Sequence, residues 1–247
     1  MPVPPAAGKG GTFLLDISSH NWGNVESPWI GADLSIWSHL IRDRTPIRYP
    51  AKSCVFWQGR EHSTGYIVAK GRVCISAFHE DGKQKQIYIA TPGAMIGEEA
   101  CILSQPYMTT ATAIVTSELY AIPSKELQAL FHSEQRTADL MLQYESRKIR
   151  MMISQTAMLS FDSAEQRIAK MLLCLCDAYG KQVPEGILIN LSFTCTDLAG
   201  IVSTSRVTAN NVLLDFARAG VLSKESGHYL IRKPEYLQGI VSQLLEK

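Results

Sequence analysis

The sequence predicts an α+β protein with three parts: an N-terminal double-stranded β-roll of jelly-roll type, a long dimerisation helix, and a C-terminal winged helix-turn-helix. Three observations carry this. Short β-type runs alternate with glycine turns from Thr45 to Pro123. Ser133 to Leu159 then runs without proline or glycine. Finally, Thr196–Phe216 holds two short capped helical stretches around Ser203-Thr204.

The roll is read from Cys54–Trp57, Gly65–Val68, Arg72–Phe78, Lys85–Ala90, Thr109–Val115 and Glu118–Ile122, separated by Gln58-Gly59, Lys70-Gly71, Asp81-Gly82 and Pro92-Gly93. Closely spaced short strands close into a roll or barrel. Asp81-Gly82 between alternating runs predicts a type I′ hairpin, whose two central residues need positive φ. Residues 1–30, opening Met1-Pro2-Val3-Pro4-Pro5, read as a flexible leader with no apolar signal region. The roll is assigned to 31–132.

The long helix is assigned to 133–160, after a short one capped by Ser124. Met141, Tyr144, Lys148, Met151, Gln155 and Met158 follow heptad a/d spacing. Leu142, Ile149, Met152, Ile153 and Leu159 form a stripe on another face. Two stripes predict burial on two sides, against the roll and against a second copy; the alternative is a helix inside a monomer core. Lys148 in an apolar seam needs an anion, because an unpaired buried ammonium is expensive.

The last part, 161–247, begins with an amphipathic helix, Ala164–Ala178, followed by strand-like Gly186–Leu191. Helices then follow over Thr196–Val202 and Ser205–Ala219. Ala199 is small where the pair crosses, and Ile201, Val202, Val212 and Leu213 pin it. Ser203, Ser205, Arg206, Val207, Thr208, Asn210 and Asn211 are the candidate DNA contacts, and His228–Ile231 fits a wing. This part carries nine basic and nine acidic residues, so the positive potential that phosphate contact needs has to come from local placement.

Composition excludes other classes. Apolar content of 46% and charged content of 19% describe a folded soluble chain, and no apolar run reaches the ~18–20 residues of a membrane span. The six cysteines show neither CxxC nor Cys/His ligand spacing, so no metal or cofactor is expected. A metal enzyme built on the roll would need clustered ligands, yet the six histidines show no HxH spacing. A ligand-binding module acting only through protein partners is the remaining rival. The expected location is the cytoplasm.

Taken in order, Val55-Phe56-Trp57-Gln58-Gly59, Lys70-Gly71-Arg72-Val73, Glu80-Asp81-Gly82, Pro92–Glu98 and Glu165-Gln166-Arg167-Ile168-Ala169 resemble motifs of the CRP/FNR family, the cyclic-AMP receptor and fumarate–nitrate regulators. The resemblance covers Pro46–Pro234. It implies a cyclic-nucleotide-binding-like roll and a homodimer on a palindromic operator in double-stranded DNA, with recruitment or blocking of RNA polymerase. It also implies control by a small effector.

In the cyclic-nucleotide binders of this family a Gly-Glu pair is followed by an arginine that neutralises the phosphate. This chain keeps Gly97-Glu98, but the later stretch reads Pro106-Tyr107-Met108-Thr109-Thr110-Ala111, without arginine. Cyclic AMP is therefore not the expected effector. The iron–sulfur members have an N-terminal cysteine cluster that is absent here, and Glu99 stands near the position of the haem-ligand histidine in the haem-sensing members.

The pattern is closest to the CprK-type members, which respond to halogenated phenols; Tyr88 and Lys148 fall where those have a tyrosine and a lysine near the phenolate. With the residues around these positions added, the candidate effector site is Tyr88, Gly97, Glu98, Tyr107, Thr109, Tyr144, Lys148, Met151 and Met152. Two partners for Lys148 stay open: a bound aromatic anion, or an internal carboxylate from Glu98 or Glu99. In the reader, Arg206 matches the family's guanine or phosphate contact. Val207 replaces a glutamate and Asn211 a second arginine, which predicts A·T-richer half-sites.

Overall fold

The computed structural model describes residues 26–61, 64–225 and 227–242. The expected leader lies mostly outside them, and its last residues are not a leader. Trp29–Ile30 is strand β1, paired in parallel with a strand of the roll. Both residues are fully buried. A two-residue strand between Pro28 and Gly31 is too short to show any period.

The roll follows. A 3-10 turn, Leu34–Trp37, enters α1 (Ser38–Ile41). Then come β2 (Ile47–Tyr49), β3 (Cys54–Phe56), β4 (Thr64–Lys70), β5 (Val73–Phe78), β6 (Gln84–Ala90) and β7 (Met95–Ile96). After the short helix α2 (Glu98–Leu103), β8 (Thr110–Ala113) and β9 (Ser117–Pro123) complete two sheets, ordered β1-β6-β5-β8-β3 and β2-β9-β4-β7. Alternating apolar positions, among them Ile67, Val73, Ile75, Ile96, Leu119 and Ile122, fill the space between them.

The β5–β6 hairpin forms where Asp81-Gly82 predicts it, but not with a type I′ turn. Gly82 has φ +84°, whereas Asp81 is not among the described residues with positive φ. His79 and Lys83 close the loop through His79 N–H and the Lys83 carbonyl at 2.9 Å. This leaves a three-residue loop with one left-handed residue, the other common hairpin solution.

Helix α3 (Ser124–Ser133) leads into α4 (Gln135–Phe161), the predicted long helix. Met141, Tyr144, Lys148, Met151, Gln155 and Met158 are all buried. Heptad spacing here serves intrachain packing: Met141, Tyr144 and Met151 join the roll core, and Met158 joins the C-terminal core. The second stripe stays open, with Leu142 66%, Ile149 56% and Ile153 63% exposed. No described helix is long and apolar enough to cross a membrane.

The C-terminal part comprises α5 (Ala164–Tyr179), β10 (Gly180–Val183), β11 (Gly186–Ile189), α6 (Cys195–Ile201), α7 (Arg206–Arg218), β12 (Leu222–Glu225), β13 (His228–Ile231) and α8 (Pro234–Ser242). Ser163 starts α5 with a capping box to Gln166. The small sheet runs β10-β11-β13-β12. Trp29 and Ile89 from the roll side belong to this core, and the Trp29 ring lies 5.8 Å from that of Phe193.

Gly93 has φ +80°, and a Cβ there would overlap the Ala32 backbone, whereas Gly82 has open space around it. Left-handed strain alone predicts a loss of about 1 kcal/mol for Gly82→Ala. Strain plus the backbone clash predicts roughly 3 kcal/mol for Gly93→Ala. Urea denaturation of the two variants checks the order.

Candidate functional site

Two capped helices build the reader. Thr194 Oγ1 accepts from Asp197 N–H at 3.1 Å, while Asp197 Oδ2 accepts from Thr194 N–H at 2.8 Å. The turn that follows bends at Ser203, φ +53°. Ser205 then caps α7, its hydroxyl accepting from Thr208 N–H at 2.9 Å. Ala209, Leu213 and Phe216 face inward, which leaves Arg206, Val207, Asn210 and Asn211 exposed on one end of α7.

Not every expected contact is free. The Ser205 hydroxyl is committed to the cap and lies 2.8 Å from the Thr208 hydroxyl. Ser203 turns inward: its hydroxyl is buried without a partner, and its carbonyl accepts from Arg167 at 3.1 Å. Arg167 also donates to the carbonyls of Val202 at 2.7 Å and Asp162 at 2.8 Å. One guanidinium thus ties the turn to the junction after α4, a role the Glu-Gln-Arg-Ile-Ala run did not disclose.

Burial raises the Cys195 thiol pKa, while Arg206 and Lys224 act against that rise. Cys195, at the start of α6, donates its thiol to the backbone carbonyl of Arg206 at 3.8 Å. The Lys224 ammonium also lies over the Tyr229 ring of the wing, 5.3 Å from its centroid. Arg206 on α7 and Lys224 on β12 thus each bring a cation to a part that is neutral overall.

The second site is centred on Lys148. Its ammonium is buried and bonded to Glu98, with Glu145 Oε1 at 3.6 Å. It lies over the rings of Tyr144 at 4.8 Å and Tyr88 at 5.4 Å. Tyr144 accepts from Met95 N–H at 3.0 Å and donates to the Met95 carbonyl at 3.1 Å, which locks its ring. Of the two partners left open for Lys148, the structure contains the internal one. Burial pushes the lysine down to about 7 and Glu145 up to about 7. Glu98 Oε2 and Glu145 Oε1 have no hydrogen-bond donor.

Tyr88, Glu98, Tyr144 and Lys148 thus converge, with Met151 buried in the same core, while the other expected residues have engagements of their own. Tyr107 stacks on Phe56 at 4.1 Å, and its hydroxyl donates to the Thr64 carbonyl at 2.6 Å. Gly97 has φ +73°, and a Cβ there would press on those same two rings. Its role is to let the chain turn into α2. Thr109 is half-buried before β8, and Met152 is 53% exposed on the outer stripe of α4. Glu145 was not anticipated; its position three residues before Lys148 was the available signal.

Comparison with known proteins agrees with this geometry. The cyclic nucleotide-binding domain family matches residues 46–134, and the Crp-like helix-turn-helix domain family matches 166–240. The two matched domains, in this order, are the domain pair of CRP/FNR-type regulators. CRP/FNR members are DNA-binding transcription regulators with an effector-binding domain, and not enzymes.

Among its relatives, the CRP-like cAMP-activated global transcriptional regulator of Mycobacterium tuberculosis is 27% identical over 207 residues, 84% of this chain and 92% of the relative. A solved structure of a CooA variant from Carboxydothermus hydrogenoformans superposes with TM-score 0.73 at 20% identity, covering 83% of this chain and 91% of the other. CprK complexed with OCPA gives 0.69 at 18% identity, over 86% and 97%. At these identities the two structures show the shared fold alone.

Removing one partner of a buried ion pair strands the other. Lys148→Met is expected to cost about 3–5 kcal/mol. Adding Glu98→Gln, which removes the stranded charge, should recover part of that loss. A double-mutant cycle by denaturant unfolding measures the coupling.

Proposed function

We propose that this CRP/FNR-type regulator works as a cytoplasmic homodimer on a palindromic operator, acts on RNA polymerase, and is controlled by a small effector in the roll. The working units are the roll over 31–132, the dimerisation helix over 133–160 and the winged helix-turn-helix over 161–247. The carrying observation is the outer face of α7: Arg206, Val207, Asn210 and Asn211 are exposed together at the N-terminal end of a helix whose opposite face is pinned in the core. A recognition helix enters the major groove in this way.

Support for the dimer comes from α4. Its open stripe borders a shallow apolar surface lined by Ile149, Met152, Ile153, Thr156, Ala157, Ser160 and Phe161. A second copy of the same stripe would cover it through isologous packing. Two recognition helices would then address half-sites one helical turn apart.

On the effector side, the M. tuberculosis relative is named for activation by cAMP, but Pro106–Ala111 brings no arginine to a cyclic phosphate. An aromatic anion fits Lys148 better, flanked by Tyr88, Tyr144 and Met151. It would displace Glu98 from the ammonium.

Selection from random duplexes should return an A·T-rich inverted repeat, and G·C at the step facing Val207 would contradict the reading. Arg206→Ala should weaken binding to the selected site by about 5- to 150-fold, corresponding to the ~1–3 kcal/mol of a good base contact. Ile153→Asp should sediment as a monomer and lose operator binding. A dimer retained by that variant would place the interface elsewhere.

A further inference from the structure

Strand β6 makes three kinds of contact at successive residues. Its register against β5 passes from Tyr88↔Ile75 to Gln86↔Ser76, so Ile87 is an extra residue: a β-bulge. The Ile87 carbonyl accepts from Gln155 Nε2 of α4 at 2.7 Å. On one side of the bulge, Tyr88 is buried with its ring facing the Lys148 ammonium.

On the other side the strand touches the helix-turn-helix. Lys85 Nζ donates to the carbonyl of Ile201, the last residue of α6, at 2.9 Å. Gln86 lies against Gly200, where a Cβ would overlap the glutamine amide, and Gln86 Oε1 is buried without a donor. Any other residue at 200 would have to displace the Gln86 side chain from this position. Lys85 closes the C-terminus of α6, which favours a cation. The next carbonyls, Val202 and Ser203, are held by Arg167 from α5. The turn that sets the angle of α7 is thus gripped from both sides, once by its own unit and once by the roll.

We propose that Lys85 and Gln86 are positioning residues for DNA reading, and that the bulge at Ile87 makes their placement depend on the Lys148 site. This rests on the reading of α7 as the DNA helix. Residues 86 and 88 are two strand steps apart, about 7 Å. They are separated by a residue anchored to α4 rather than to the neighbouring strand. A shift of Tyr88 when the Lys148 site changes its occupant is therefore passed to α6 through one short backbone segment. Packing alone would make these contacts matter for stability and not for the sensor.

Two readouts on the full chain test this. Lys85→Met should lower affinity for the selected operator about tenfold, the scale of one hydrogen bond to a charged group, and Lys85→Arg should restore it. In a Tyr88→Leu background the effect of Lys85→Met should shrink to less than about threefold, as coupled sites do. Unchanged affinity, a gain, or strictly additive effects overturn the proposal.

Amide hydrogen exchange reads the same link without DNA. Tyr88→Leu should speed exchange in 195–201, and Gly200→Ala should speed it in 84–90, each by about tenfold. Exchange confined to the mutated unit overturns the proposal. Exchange that crosses the bulge in a chain that binds no duplex would sustain the link and reject the DNA reading instead.

Discussion

A lysine in the buried seam of a long helix has to be neutralised by something the fold brings to it, and much of the architecture follows from how Lys148 meets that demand. Glu98 reaches it because Gly97 takes a left-handed turn into α2, placing a carboxylate on the inner side of the roll. That turn is possible because a glycine leaves room beside the stacked Phe56 and Tyr107 rings. The ion pair fastens α4 to the roll, so the helix can bury one stripe within its own chain and present the other outward. A buried pair of this kind adds little net stability over well-packed apolar residues, but breaking it is costly. Its position between roll and helix makes it suited to exchange partners with a ligand that brings its own charge.

Much of this was legible in the sequence where local chemistry decides local structure. The two short helices, expected over Thr196–Val202 and Ser205–Ala219, lie within a residue of those spans, started by the Thr194 and Ser205 hydroxyls that satisfy otherwise free backbone donors. The absence of proline and glycine from Ser133 to Leu159 sufficed to place α4 within two residues. Periodicity could not say which stripe meets which partner, because a helix packed on its own roll and one packed on a second copy ask for the same spacing. The type I′ turn failed for a related reason. Asp-Gly fits two hairpin geometries, and the closing pair His79–Lys83, set by strand register, chose between them.

The candidate effector site was less legible than the helix-turn-helix. The Tyr88 and Tyr144 rings meet the Lys148 ammonium, but Tyr107 and Gly97 serve the roll's own closure, and Met152 lies exposed on the outer stripe. What decided their fates was tertiary packing between segments some fifty residues apart in the chain, as in the Lys148–Glu98 and Tyr144–Met95 pairs. Gly200 is a similar case. Within a helix it reads as a weakness, and only the arrival of Gln86 from the roll explains it.

The neutral charge of the C-terminal part then loses its weight as an objection to DNA binding. Nucleic acid responds to potential at the contact surface and not to a sum over a domain. Several of the acidic residues are already engaged internally: Asp162 takes the Lys170 ammonium at 2.7 Å, Asp197 closes the α6 cap, and Glu225 pairs with Arg232 at 2.9 Å. Arg206 and Lys224 have no carboxylate within salt-bridge distance among the described ion pairs. Each of those ion pairs uses a base as well as an acid and leaves the sum balanced, while Arg206 and Lys224 stay outside them. A balanced composition can in this way present a positive face to a phosphate backbone.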